Sequence, residues 1–112
     1  MKKENRLKKN WEFNEIIDLK KQFLNKYIIV YYQESDILKV GLTVPKKFAI
    51  AVKRNYYKRQ LRAILQNIGI QNFNYKFVII VRKEFLLASF EQKEKAIKEL
   101  FEKFKNEKIR QI

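Results

Sequence analysis

"ILKVGLTVPKKFAIAVKRNYYKRQLRAILQNIGIQNFNYKFVIIVRK", Ile37 to Lys83, contains eleven lysines and arginines and no aspartate or glutamate. Its ends and its middle follow different periods. Ile37 to Val44 and Tyr75 to Val81 are β-branched and aromatic runs, the pattern of strands in a sheet. Between them, Ala49 to Asn67 lacks Gly and Pro, and Gly69 is placed to stop a helix there. Pro45 ends the regular pairing of the first strand or sets it on an edge. On a helical wheel Ile50, Tyr57, Leu61, Ile64, Leu65 and Ile68 share one face. Arg54, Lys58 and Arg62 follow at i, i+4 and i+8 beside it, and Asn55 and Arg59 widen that stripe.

Working outward, Asn10 is read as the N-cap of a short helix from Trp11 to about Lys20, with Phe13, Ile16 and Ile17 at helical spacing. Lys26 to Gln33 reads as a strand, "ESD" as a turn, and Ile37 to Val44 as the antiparallel partner. Ser89 caps a last helix, with Gln92 at the capping-box position and Ile97, Leu100, Phe101 and Phe104 on its inner face. The expected architecture is α+β: one domain over residues 1–112, with helices packed on a small sheet.

Net charge is +14, but outside the central block fifteen basic groups meet twelve acidic ones. The positive field is therefore internal to the fold and suits a polyanion, with nucleic acid ahead of an anionic membrane surface. Three of six arginines fall between Arg54 and Arg62 in a chain with twenty lysines. A guanidinium holds phosphate with a two-donor fork, which an ammonium cannot. Cys and His are absent, so disulfides, thiolate chemistry and the commonest general base are excluded. Asp18 and Asp36 sit at element ends, the glutamates lie outside the basic block, and Gly41 and Gly69 stand alone. Neither a two-metal carboxylate site nor a Gly-rich phosphate loop is expected, and no cofactor is assigned to the chain. The basic start has no apolar run of signal length, and Tyr27 to Tyr32 is too short to span a bilayer, so a cytoplasmic protein is expected. Tyr27, Tyr31 and Phe77 suit a core better than a stacking platform.

"RLKKNWEF" (Arg6 to Phe13), "VGLTVPKKFAIAVKRNYYKRQLR" (Val40 to Arg62) and "FVIIVRK" (Phe77 to Lys83) together resemble the bacterial ribonuclease P protein component, in order over nearly the whole chain. The resemblance implies an αβββαβα sandwich whose Arg-rich helix lies in a left-handed crossover between parallel strands, against the usual hand. It implies a basic protein that joins a catalytic RNA to remove the 5′ leader of precursor tRNA, the RNA supplying the active site and its magnesium. Neither a membrane nor an obligate protein partner is implied.

Carried over by position, Arg54, Asn55, Lys58, Arg59 and Arg62 would face the catalytic RNA, with Lys46, Lys47, Lys53, Arg82 and Lys83 on nearby basic positions. Arg6, Lys9, Phe13, Ile17 and Tyr31 would line the cleft for the single-stranded leader. Four positions depart from the family's pattern: Tyr56 where a basic residue is usual, Ile17 where an aromatic is frequent, and Lys20 and Ala49 where glycines occur. Rival readings are another RNA-binding module, a helix that reads the DNA major groove and a membrane-surface protein.

Overall fold

The computed structural model describes residues 3–110, and side chains for 4–108. The elements are α1 (Asn10–Asp18), β1 (Gln22–Leu24), β2 (Ile28–Glu34), β3 (Lys39–Thr43), α2 (Ala51–Asn67), β4 (Tyr75–Val81), α3 (Lys83–Leu87) and α4 (Phe90–Arg110). The four strands form one sheet in the order β1-β2-β4-β3. β4 runs antiparallel to β2, pairing Ile28 with Val81, and parallel to β3, pairing Val40 with Phe77. The expected hairpin between β2 and β3 is therefore corrected. Strand period identifies strands but carries no information about partners, and β4, the most apolar of the four, takes the doubly bonded place between them.

The side-chain alternation of β4 divides the core in two. Phe77, Ile79 and Val81 face Leu61, Ile64 and Leu65 of α2 and Ile97, Phe101 and Phe104 of α4, all buried. Val78 faces the other way, with Leu7 and with Ile16 of α1. This is a sandwich with α1 on one side and α2 and α4 on the other.

The hand of the β3-α2-β4 crossover follows from the same alternation. Arg82 N–H donates to Tyr27 O at 2.9 Å and Ser35 N–H to Asn74 O at 3.3 Å, so the even-numbered residues along β4 bond toward β2. Its odd-numbered side chains face α2. For L-residues viewed from the α2 side with β4 pointing up, these two facts place β2 on the left and β3 on the right. The path from β3 over α2 to β4 moves leftward, which makes the crossover left-handed, contrary to the usual rule.

Several boundaries shift from expectation. α1 begins at Asn10 with Lys9 as its N-cap, and Glu12 accepts the backbone N–H groups of Lys8 (3.3 Å) and Lys9 (3.2 Å). Those bonds hold the Glu12 carboxyl below its ordinary pKa, the Lys9 bond most of all. Lys20 follows α1 with φ +58°, a left-handed conformation that glycine adopts at less cost. Gly69 stops α2 as expected, at φ +79°. Ser89 and Gln92 form the reciprocal capping pair, each accepting the other's backbone N–H at 3.2 Å. Ile50, placed on the apolar face of the wheel, is 71% exposed because the chain is only entering the helix there.

Candidate nucleic-acid interface

The N-terminal segment is pinned to the outer edge of β3. Leu7 N–H donates to Val40 O at 3.0 Å, and Asn5 Nδ2 to Leu38 O at 2.8 Å. Beyond Val40 that edge is left to an open cleft of about 620 Å³. Phe13, Asn14 and Ile17 of α1 form one wall, Leu42, Thr43 and Ile80 of the sheet form the floor, and Lys58 reaches in from α2.

The position of Phe13 depends on Gly41. A Cβ built on Gly41 would lie 2.7 Å from Phe13 Cε2 and 2.9 Å from Cε1, so the ring rests on bare backbone of β3. Gly41 pairs in register with Val78 and shares the α1 side of the sheet. Its role has no sequence signal of its own beyond a glycine inside a strand.

Of the expected cleft residues, Phe13 and Ile17 line it. Tyr31 is half-buried and packs with Phe13 and Ile17 against the α1-side core. Lys9 is exposed at the helix cap, while its neighbour Lys8 borders the cleft together with Asn10. Arg6 pairs by a β-bridge with Val40 and lies near Arg62. Partial burial, with the Arg6 charge second, draws the Arg62 guanidinium below its usual pKa, and a guanidinium still remains charged at neutral pH.

Along α2, half-buried Arg54, Lys58 and Arg62 border the core face, and exposed Asn55 and Arg59 lie outside them. Arg54 also donates from Nη1 to Ala49 O at 2.9 Å, folding its guanidinium over the entry to its own helix. Lys53 belongs to the opposite flank, 100° from Arg54 by helical geometry, and so stands apart from the stripe. Lys46 and Lys47 are exposed in the turn after Pro45. Arg82 donates to Asn25 O at 2.9 Å, where Asn25 Oδ1 accepts from Tyr27 N–H at 2.8 Å, so this arginine braces the β1-β2 turn. Lys83 opens α3, outside both the cleft and the α2 stripe.

This surface offers ammonium and guanidinium groups, donors in aliphatic or aromatic company. Among the described residues no three His, Cys, Asp or Glu side chains converge on a metal position. No described helix is long and apolar enough to cross a membrane.

Comparison with known proteins places this arrangement. The family model described as Ribonuclease P matches residues 1–105. The ribonuclease P protein component of Mycoplasma mobile is 52% identical over 108 residues, covering 96% of each chain. That of Mycoplasmopsis pulmonis is 51% identical over 109 residues, covering 96% of this chain and 98% of the relative. The solved RNase P protein of Thermotoga maritima is 28% identical with a TM-score of 0.69 over 88% of this chain and 93% of its own. The Staphylococcus aureus RNase P protein, 24% identical, shares the fold with a TM-score of 0.78 over 88% of this chain and 93% of its own. On these matches, which span nearly its whole length, this chain belongs to the ribonuclease P protein component family.

Proposed function

We propose that residues 1–112 act as one cytoplasmic RNA-binding domain, the protein subunit of ribonuclease P. It docks on the catalytic RNA through Arg54, Asn55, Lys58, Arg59 and Arg62 and receives the 5′ leader of precursor tRNA in the cleft over Phe13. The observation that carries this reading is the junction of the two surfaces: Lys58 belongs both to the α2 stripe and to the cleft. A leader strand in the cleft and the catalytic RNA on the guanidinium row would therefore lie side by side, meeting at Lys58.

The parts suit these two RNAs differently. Phe13 gives an unpaired base a ring to stack on, and Lys58 gives its phosphate a counter-charge. Arg59 and Arg62 match the paired oxygens of backbone phosphate. A cationic surface repels divalent metal, so the residues here do not fit a magnesium site, and hydrolysis is assigned to the RNA. Lys46 and Lys47 extend the field beyond the helix entry, while Arg82 serves the β1-β2 turn.

The salt dependence of binding to a bacterial RNase P RNA tests the docking surface. Arg59→Ala and Arg62→Ala should each lower the slope of log affinity against log salt by about one unit. Unchanged slopes in both variants would remove α2 from the RNA interface.

A further inference from the structure

Lys93 projects inward from α4 and is 2% exposed. Its Nζ lies 4.3 Å from the centre of the Phe85 ring and 5.3 Å from that of Tyr57, and it donates to Gln60 Oε1 at 2.8 Å. An ammonium can only donate, so this contact fixes which end of the Gln60 amide faces inward. Gln60 Nε2 is turned outward and donates to the Tyr56 hydroxyl oxygen at 3.0 Å. Both hydrogen bonds therefore point the same way, from the buried cation to the surface, and each polarises the next.

The Tyr56 oxygen already accepts a hydrogen bond from Gln60, so its own O–H is left to donate. Among the described residues no acceptor takes it. The ring is 45% exposed on α2 and is braced by Tyr57, with centroids 5.2 Å apart and planes at 68°. Tyr56 also lies beyond Arg59 around the helix, outside the guanidinium stripe. A buried lysine is costly unless its donors are used, and among the described residues the hydrogen bond its ammonium donates leads to the exposed phenol.

We propose that Tyr56 is a second, uncharged contact of α2 with RNA, its O–H donated to a backbone phosphate oxygen, and that Gln60 and Lys93 are positioning residues that hold and polarise it. This rests on α2 facing RNA, so the test carries Arg59→Ala as a control for that reading.

Binding of a bacterial RNase P RNA is measured over a range of salt for Tyr56→Phe, Gln60→Leu, their double variant and Arg59→Ala, with thermal melting of each. Tyr56→Phe keeps the ring and should weaken binding about five- to tenfold at every salt with an unchanged slope, since a neutral donor releases no counterion. Gln60→Leu should match that loss alone and add less than about twofold to Tyr56→Phe, whereas a general structural defect costs the same in both backgrounds. Wild-type affinity in Tyr56→Phe, with a reduced slope in Arg59→Ala, overturns the proposal and leaves the α2 interface standing. Wild-type behaviour in both overturns the interface as well. Equal Gln60→Leu losses in both backgrounds overturn the relay.

Discussion

On the α2 and α4 side of the sheet the described core has seventeen buried residues, those of the strands included, while on the α1 side it is Leu7, Ile16 and Val78. The first side is aromatic and dry. Phe23 stacks on Phe104 with centroids 4.3 Å apart, and Phe77 meets Phe101 edge-on at 5.5 Å. The second side holds Phe13 and Tyr31 half-buried, with Phe13 beside a cleft. One face of the four-stranded sheet is thus filled by core, and the other leaves apolar surface open at a cleft. The left-handed crossover serves this division, because it carries α2 over the dry face while its basic flank reaches the cleft at the β3 edge.

The sharpest test of the contrast is a pair of truncations. Phe77→Ala removes a fully buried ring and should cost about 3–5 kcal/mol in denaturant unfolding. Phe13→Ala should cost about 1–2 kcal/mol, in proportion to the smaller apolar area it buries. Its main effect should be on binding, weakening precursor tRNA more than mature tRNA. Comparable stability losses in the two variants would break the comparison. Next in size is Gly41→Ala, whose Cβ displaces the Phe13 ring. It should destabilise by about 1–3 kcal/mol through overpacking and reproduce the selective loss of leader binding. The smallest effect is at the end of α1, where Lys20→Gly relieves a positive φ and should stabilise by about 0.5–1 kcal/mol in thermal melting, with RNA binding unchanged.

The parts of this division that were legible in the sequence are those fixed by local rules. The α2 stripe, the Gly69 stop, the bounds of β4 and the Ser89–Gln92 cap all follow from spacing and backbone chemistry over a few residues. Pairing was not legible in the strand period, because β2 and β3 are close in sequence and of similar period, and the parallel partnership of β3 with β4 across the left-handed crossover was implied by the family resemblance alone. β1, three residues long, and α3, five, are too short to show a period. Of the cleft, Phe13 and Ile17 were identified through family resemblance, but the Gly41 floor and the approach of Lys58 depend on tertiary contact. Lys93 had a signal that residue type obscured: with Ile97, Phe101 and Phe104 it keeps the spacing of the buried face of α4. A lysine there reads as a break in the stripe, when it is a cation enclosed by Phe85 and Tyr57.

In the proposed role this chain assists an RNA which performs the hydrolysis. Cleavage of precursor tRNA by a bacterial RNase P RNA at low magnesium, with and without the protein, tests it most directly. Little cleavage by the RNA alone, restoration by the wild-type protein, and no cleavage by the protein without the RNA are expected. Failure to raise cleavage above that of the RNA alone, or cleavage by the protein by itself, would contradict it.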